Sequence, residues 1–463
     1  MRQAFTRRRF LALGSVGAAM GLLAACGGGA PEPTAKPAAP AAGQAPTAGQ
    51  TPAAKPAAAK KDVSLRIISR AGVFGSHTKE FAQRYAKETG YTVEVEDVEW
   101  GDIPKKVQTQ FISGDLADVM VCDQAFWPEL AIKGVFLPID DLVKAKPPPD
   151  FEDYPDLDWQ RRWTDGKLSG LSGDAGINDI ITWYNKDMLK EVGGKEPTDE
   201  WTMEDYVSTM ELVAQKKPGV FGGDSSKGGS HTGDGWLRNW GHWILDPTTK
   251  KVELTNPKTL DGVKWVTEMV KRKLYPGRQD TQGTSSTALF AAGKMWSVTS
   301  NPGNWGGLDT AVAKKFEYGA VLAPKGPSAF ENPPRRAFIP YANRHAVTSK
   351  TKFPEEAYGL LVRVTGYECM KWLTLNTGKQ PGILKAWRDP EVLKIRPLYG
   401  KVADLMQKCT DVFPVPWNTR YIEYRDRGDN ELLAIEYGEK PYSDAAMAEI
   451  EKKLQEIVDL PRP

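Results

Sequence analysis

The sequence predicts an α/β protein in which helices cover parallel or mixed β-sheets. Short apolar segments alternate with helical segments from residue 62 onward, which is the pattern of such folds. The chain has 463 residues, enough for at least two lobes. Its 40% hydrophobic and 26% charged residues exclude wholesale disorder, a collagen-like fibre and a polytopic membrane protein.

The first part of the folded region has the order β-α-β-α-β-α. Strands are predicted at 65–69, 91–98 and 117–121, and helices at 77–89, 103–113 and 126–133. Ligands of such sheets bind beyond the carboxyl ends of the strands. We therefore expect residues 69–76 and 122–127 to border a binding site.

The rest of the chain continues this alternation. Strands are predicted at 180–184, 294–299 and 318–323, loops at 221–235 and 324–336, and helices at 185–191, 201–216, 261–273, 287–292, 354–365, 367–376, 390–409 and 443–458.

Residues 1–25 have the composition of an export signal. They carry four arginines and no acidic residue, and the apolar run within them is shorter than the roughly 20 residues that span a bilayer. The Thr-Arg-Arg-Arg-Phe-Leu run at 6–11 resembles a twin-arginine signal, and Leu-Ala-Ala-Cys at 23–26 resembles a bacterial lipobox. We predict that Cys26 carries a lipid anchor and attaches the protein to a membrane.

Residues 26–61, which begin with this cysteine, are predicted to form a tether. They are dominated by Ala, Pro and Gly and contain no aromatic or branched aliphatic residue, so they have nothing to bury in a core. The signal contributes four arginines, and the tether four lysines and one glutamate, so the whole-chain net charge of +2 becomes −5 for residues 62–463. This acidic balance argues against a nucleic-acid partner, which would need a basic surface.

The sequence offers little material for catalysis. Phosphate-loop, zinc-helix, nucleophile-elbow and paired C-x-x-C motifs are absent, and the four histidines lack ligand-like spacing, so we predict no cofactor and no metal. The spacing allows a disulfide between Cys369 and Cys409 without establishing it. Acidic residues cluster at 140–141 and 150–158, which is compatible with a glycosidase, but we interpret them as a solvated surface.

Several motifs occur in the order and spacing of a known family. They are Ala-Asp-Val-Met at 117–120, Leu-Pro-Ile-Asp-Asp-Leu at 137–142, Trp-Tyr-Asn-Lys-Asp-Met-Leu at 183–189, Phe-Ala-Ala-Gly-Lys-Met at 290–295 and Pro-Glu-Glu-Ala at 354–357. Together they resemble the extracellular solute-binding proteins of ABC importers, specifically the sugar-binding group that includes the maltose-binding protein.

The resemblance implies a two-lobed, type II-like periplasmic-binding-protein fold. Two Rossmann-like lobes would be joined by hinge crossovers and would close over a ligand. Residues 62–176 plus 320–365 would form one lobe, and residues 177–319 plus 366–463 the other. The same resemblance implies a polar hinge residue at Asn178 and ligand-facing aromatic residues at Trp305 and Trp417.

The fifteen tryptophans add a physical reason for a sugar ligand. The C–H face of a pyranose packs on a flat ring, while its hydroxyls bind planar polar side chains. The stacking candidates are Phe126, Trp127, Trp236, Trp240, Trp305 and Trp417. The hydrogen-bonding candidates are Asp123, Gln124, Asp174, Asn178 and Asn301.

These observations lead to one main hypothesis. It is a monomeric, non-catalytic, lipid-anchored protein that captures a sugar, an oligosaccharide or glycoside, and delivers it to an ABC permease. The same fold with a peptide, polyamine or metal chelate would be favoured by a cleft lined by acids or by Arg335 and Arg336. A sensor subunit for a membrane kinase and a secreted carbohydrate-active enzyme are also compatible with the sequence.

Overall fold

The computed structural model describes residues 62–224, 237–281, 283–327, 336, 339–408 and 415–463. These residues belong to a single compact unit. The export signal, the tether, Trp236, Arg335 and Cys409 lie outside the described residues, so the predictions made for them stay predictions. Cys369 is buried, and its possible disulfide partner Cys409 lies outside the described residues, so that pairing stays a prediction.

Two β-sheets organise the described residues. The larger sheet has the strand order β2-β1-β3-β8-β4, and the smaller sheet has the order β6-β5-β7. The strands are β1 (Ser64–Arg70), β2 (Thr92–Val98), β3 (Val119–Cys122), β4 (Leu171–Asn178), β5 (Ile181–Asn185), β6 (Ser297–Ser300), β7 (Tyr318–Leu322) and β8 (Ile339–Val347).

Helices pack around both sheets. From the amino-terminal side they are α1 (Ser76–Thr89), α2 (Ile103–Ser113), α3 (Trp127–Ile132), α4 (Asp140–Ala145), α5 (Leu157–Arg161), α6 (Lys186–Val192), α7 (Met203–Lys216), α8 (Pro257–Lys271) and α9 (Arg278–Thr281). They continue with α10 (Ser286–Ala291), α11 (Trp305–Val312), α12 (Pro354–Thr365), α13 (Tyr367–Thr377), α14 (Leu384–Trp387), α15 (Pro390–Ile395), α16 (Tyr399–Lys408), α17 (Tyr421–Glu436) and α18 (Asp444–Asp459).

The predicted first three strands are confirmed, and they run parallel. Strand β1 pairs with β2 along its whole length and with β3 at Ile67 and Ile68. Strand β8 returns from far along the chain and lies antiparallel between β3 and β4. The sequence pattern predicts neither β4 nor β8, because β4 contains two glycines and β8 contains Pro340, residue types that are depleted in strands.

Each sheet has its own apolar core. Leu65, Phe81 and Leu360 lie in the core beneath the larger sheet. Trp183 and Trp387 lie in a core beneath the smaller sheet. At roughly 25 cal/mol for each Å² of apolar surface removed from water, such aromatic side chains are major contributors to stability.

The predicted lobe boundaries stay predictions, and they fall inside or beside strands and helices of the structure. Ile177 and Asn178 are part of β4 in the larger sheet, whereas the predicted boundary follows residue 176. The boundary after residue 319 falls inside β7 of the smaller sheet. Helix α13, predicted for the second lobe, packs on the core of the larger sheet through Cys369 and Met370.

One long predicted helix is two helices in the structure. The sequence pattern predicts a continuous helix over 390–409, but α15 ends at Ile395 and α16 begins at Tyr399. Pro397 lies between them, and proline lacks the N–H donor and disfavours helical backbone at the residue before it. Among the described residues, no helix has both the length and the apolar character required to cross a bilayer.

Candidate functional site

A cavity of about 210 Å³ lies where strand ends of both sheets meet. The lining residues are Arg70, Phe74, Trp100, Asp123, Gln124, Ala125, Asp174, Asn178, Asn301, Asn304, Tyr341, Asn343 and Gln380. The larger sheet and its loops supply most of them, and the segment after β6 supplies Asn301 and Asn304. Both sheets therefore contribute to one cavity, at the carboxyl ends of β1 and β3.

A tight turn at the end of β1 builds one wall. A 3-10 turn at Gly72–Gly75 folds back on Arg70, and a Cβ atom at Gly75 would lie 1.7 Å from the Arg70 carbonyl oxygen. Only glycine fits that approach. The guanidinium carbon of Arg70 lies 3.6 Å from the ring centroid of Phe74 and 4.5 Å from that of Trp100. Both aromatic rings are thus in cation–π contact with the protein's own arginine.

The loop after β3 is fixed to β8 by hydrogen bonds. The Gln124 side-chain oxygen accepts from the Ala342 N–H at 2.7 Å, and the Gln124 N–H donates to the Asn343 side chain at 3.2 Å. Within the loop, Asp123 Oδ1 accepts from the Ala125 N–H at 2.7 Å. The polar groups of this wall are therefore held in place before any ligand arrives.

Asp174, Asn343 and Gln380 form a hydrogen-bonded group in the lining, which we call the floor of the cavity. Asp174 Oδ1 accepts from Asn343 Nδ2 at 3.0 Å and from Gln380 Nε2 at 3.4 Å. Burial raises the pKa of Asp174 to about 6, although the Arg70 charge and the Asn343 hydrogen bond act in the opposite direction. The Asp174 carboxyl group thus protonates more readily than an ordinary aspartate.

Lys379 and Gln380 connect the floor of the cavity to the turn that follows β6 in the smaller sheet. Lys379 Nζ donates to the Gly303 carbonyl at 3.0 Å, and a Cβ atom at Gly303 would lie 1.7 Å from Gln380 Oε1. Asn301 Oδ1 accepts from the Gly303 N–H at 3.0 Å and caps the turn that follows β6. Burial, and then the Arg70 charge, lower the pKa of Lys379 to about 8.

The sequence profile described as "Bacterial extracellular solute-binding protein" matches residues 80–391, which is more than half of the chain. This chain belongs to that family. A curated relative of this solute-binding protein is the "Probable ABC transporter-binding protein" of Deinococcus radiodurans. It is 24% identical over 378 residues, which cover 77% of this chain and 84% of the relative.

Solved structures share the two-lobed α/β fold of this solute-binding protein at low sequence identity. The ABC substrate-binding protein Lmo0181 from Listeria monocytogenes, in complex with cycloalternan, has a TM-score of 0.70 at 17% identity and covers 86% of this chain and 99% of its own. The sugar-binding protein MalE from Xanthomonas citri has a TM-score of 0.70 at 17% identity, with coverages of 86% and 97%. UgpB from Mycobacterium tuberculosis, in complex with glycerophosphocholine, has a TM-score of 0.70 at 18% identity, with coverages of 86% and 99%.

The structure brings all five hydrogen-bonding candidates of this solute-binding protein into the cavity. They are Asp123, Gln124, Asp174, Asn178 and Asn301. Asn178 is the last residue of β4, directly before the crossing to β5. The predicted strand ends account for the positions of Asp123, Gln124 and Asn301, and the contact of all five residues with a ligand stays a prediction.

The stacking candidates are placed differently, because most of their rings are in apolar cores. Trp127 is fully buried and stacks on Phe136 with ring centroids 4.1 Å apart. Trp240 is buried and lies beside Trp265. None of the described stacking candidates lines the cavity. Both rings pack in apolar cores, so the structure does not place either of them to stack on a ligand in the cavity.

The remaining stacking candidates divide between core and surface. Trp305 is buried against Trp183 and Tyr399, and its Nε1 donates to the Tyr318 hydroxyl at 3.2 Å. Phe126 is half-buried and packs on the core that contains Trp127. Trp417 is 38% exposed outside the cavity lining.

The sequence analysis missed eight of the lining residues. These are Arg70, Phe74, Trp100, Ala125, Asn304, Tyr341, Asn343 and Gln380. Phe74 lies within the strand-end segment 69–76 that the sequence predicts to border a site, so strand position alone could have identified it. Tyr341 and Asn343 lie on β8, which the sequence pattern does not predict.

The acidic residues considered for glycoside hydrolysis lie away from the cavity. Asp140 pairs with Arg161 and also accepts from the Leu168 N–H. Asp156 is fully buried and pairs with Arg344, which corrects the expectation that it belongs to a solvated face. The described residues contain no group of His, Cys, Asp and Glu that could hold a metal ion.

A larger depression of about 990 Å³ lies elsewhere, on the outer side of the larger sheet's helices. It is lined by residues of α1 and α12 and by the 145–150 segment, and it includes none of the residues at the carboxyl ends of β1 or β3. The Tyr85 hydroxyl donates to the Glu356 carbonyl and the Tyr358 hydroxyl to the Lys146 carbonyl, so these groups bond within the protein. The smaller, polar cavity is therefore the candidate site.

Proposed function

We propose that this solute-binding protein captures a carbohydrate in the cavity between its two sheets and delivers it to an ABC permease. The observation that carries the proposal is the convergence of five predicted polar side chains on one cavity: Asp123, Gln124, Asp174, Asn178 and Asn301. Carboxylates and planar amides are suited to the donor and acceptor pattern of sugar hydroxyls. The cycloalternan complex of Lmo0181 and the description of MalE as a sugar-binding protein support a sugar.

The cavity volume bears on the size of the ligand. About 210 Å³ is below the range of roughly 300–1,000 Å³ that holds drug-sized ligands. We propose that one sugar unit occupies the cavity, either free or as the end of an oligosaccharide or glycoside. Phe74, Trp100 and Tyr341, rather than the predicted tryptophans, are the aromatic residues available to it.

The proposal includes the cellular setting predicted by the sequence. The protein would be exported, anchored through a lipid on Cys26 at the outer face of the cytoplasmic membrane, and would act as a monomer without catalysis. The Deinococcus relative's name supports a role with an ABC transporter. Closure of the lobes would follow from contacts that the ligand makes with both sheets.

A sugar panel tests the proposal through two independent signals. At a ligand concentration of 100 times Kd, binding should stabilise the protein by roughly 2.7 kcal/mol, which raises its melting temperature. Tryptophan fluorescence should change in the same samples. A panel of neutral and acidic monosaccharides and oligosaccharides that moves neither signal contradicts a carbohydrate ligand.

Charged residues in the lining favour a second candidate, a non-sugar solute. Arg70, Asp123 and Asp174 line the cavity, while Arg336 lies elsewhere and donates to backbone carbonyls. Binding of an oligopeptide or a polyamine, with no response to any sugar, would establish this alternative. Hydrolysis of a chromogenic glycoside that is lost in Asp174→Asn would instead establish an enzyme.

A further inference from the structure

Two cations lie against one aromatic ring at the wall of the cavity. The Arg70 guanidinium carbon is 3.6 Å from the Phe74 ring centroid, and the Lys379 ammonium nitrogen is 3.5 Å from the same centroid. Lys379 is only 8% exposed. Two like charges held this close to one ring repel each other, so the arrangement costs free energy unless an anion compensates it.

The described part of the chain supplies no direct counterion. Within it, neither cation forms an ion pair with a carboxylate, and Lys379 makes one hydrogen bond, to the Gly303 carbonyl. The Arg70 guanidinium makes no hydrogen bond to a described residue, and its contacts are with the Phe74 and Trp100 rings. Its N–H donors are therefore free to bind a ligand at the cavity wall.

The two carboxylates of the lining are engaged by neutral donors. Asp123 accepts from the Ala125 N–H, and Asp174 accepts from the amides of Asn343 and Gln380. Burial lowers the pKa of Arg70, and these two carboxylates act in the opposite direction through space without contacting the guanidinium. Both carboxylates are hydrogen-bonded to neighbouring groups of the lining, so they compensate the two cations only at a distance.

We infer that the cavity takes a small polyhydroxylated ligand that carries one anionic group, a carboxylate or a phosphate monoester, and that Arg70 binds that group. The inference deepens the proposed function and rests on it. A guanidinium presents a planar fork of N–H donors that matches both anions. A neutral hydroxyl can accept one such bond, but it brings no negative charge next to the two cations.

The raised pKa of Asp174 agrees with this inference. Burial makes its carboxyl group easy to protonate near pH 6, and a bound anion close to it would raise that pKa further. Arrival of the anion would therefore be accompanied by proton uptake in mildly acidic solution. The amides of Asn178, Asn301 and Asn304 would remain available for the hydroxyls of the ligand.

Matched ligand pairs test the inference on the full-length protein by titration calorimetry. The pairs are glucose with glucuronate, galactose with galacturonate, and glycerol with glycerol 3-phosphate. We expect the anionic member of at least one pair to bind roughly 10- to 100-fold more tightly, as charge-assisted hydrogen bonds allow. The sugar-acid and phosphate pairs distinguish the two sources of the anion.

Substitutions assign the preference to Arg70. In Arg70→Gln the anionic ligand should bind about 10- to 100-fold more weakly, at the level of its neutral partner. Arg70→Lys keeps the positive charge but lacks the planar fork of donors. Its affinity for the anionic ligand should therefore lie between those of Arg70→Gln and the unmodified protein. Arg66→Gln is the matched control, because Arg66 lies on the same strand and pairs with Asp115 outside the cavity. Its affinities should equal those of the unmodified protein.

Each result has a distinct meaning. Equal or tighter binding of the neutral members overturns the anionic ligand and leaves the carbohydrate proposal standing. An unchanged preference for the anionic members in folded Arg70→Gln overturns the assignment of that preference to Arg70. Binding of glycerol 3-phosphate without any sugar supports the anion and overturns the carbohydrate. Failure of every sugar, sugar acid and phosphate overturns both.

Discussion

In the cavity, aromatic rings lie against charged side chains of the protein itself, whereas in the cores beneath the sheets they pack on one another. Phe74 contacts Arg70 and Lys379, while Trp305 contacts Trp183 and other buried rings. The difference shows that the described tryptophans contribute more to the cores of the two lobes than to the lining of the site. The cavity is lined mainly by amides, carboxylates and one arginine, together with the rings of Phe74, Trp100 and Tyr341.

The largest expected effect tests the core side of this comparison. Trp305→Ala removes a buried indole and should lower the free energy of unfolding by about 3–5 kcal/mol. Urea denaturation measures this, and calorimetry of the folded variant should find nearly unchanged affinity for the ligand identified by the panel. Trp417→Ala is the control, since this exposed ring should change stability by less than about 0.5 kcal/mol. A stable Trp305→Ala protein that has lost its ligand would show that Trp305 belongs to the site.

A smaller effect, on the pH dependence of stability, is expected from two buried histidines in the larger sheet and the helix packed on it. His77 and His345 have ring centroids 5.9 Å apart, and burial lowers their pKa values to about 4 and about 3. The unfolded chain takes up protons below about pH 6.5 that the folded protein excludes, so stability falls as the pH drops toward 4. For His77 alone the loss is on the order of 3 kcal/mol.

Urea denaturation between pH 7 and pH 4.5 measures that loss. His77→Gln lacks one of the two titrating groups, so its stability should depend less steeply on pH than that of the unmodified protein. Identical pH dependence in the two proteins would mean that His77 is not a buried neutral group.

The smallest effect on stability is expected at Asp174. Asp174→Asn keeps an oxygen acceptor for the Asn343 amide but removes the charge. A raised folded pKa means that the unmodified protein loses stability as the pH rises from about 4 to about 6. The melting temperature of Asp174→Asn, relative to that of the unmodified protein, should therefore rise between about pH 4 and about pH 6 and stay higher above about pH 6.

Comparing the two proteins at each pH cancels the histidine contribution. Asp174→Asn also removes the negative charge that would lie close to the bound anion, so its affinity for an anionic ligand should rise several-fold above about pH 6. A difference in melting temperature that does not vary with pH would indicate that Asp174 has an ordinary pKa.

The sequence predicts the parallel part of the larger sheet because its strands are apolar and are bounded by clear turns. It also predicts the polar lining, because Asp123 and Gln124 follow a buried strand. It does not predict β8, where Pro340 and polar residues interrupt the pattern and only pairing with β3 and β4 makes a strand. Tyr341 and Asn343 are missed for that reason.

The aromatic residues show a different limit of sequence interpretation. A tryptophan in a loop-like segment has the same local sequence whether the segment folds over a core or faces a ligand. Trp127 and Trp240 turn inward because neighbouring rings, Phe136 and Trp265, complete their packing from other parts of the chain. Contacts of that kind are not encoded in periodicity or spacing.

The insertion of β8 between β3 and β4 has a consequence for synthesis of the protein. Until residues 339–347 leave the ribosome, β3 and β4 each present an unpaired edge to solvent, and such edges are templates for aggregation. The cavity floor is completed later still, when Gln380 arrives. A chain truncated before residue 339 would therefore lack the site and would also carry open strand edges that invite self-association.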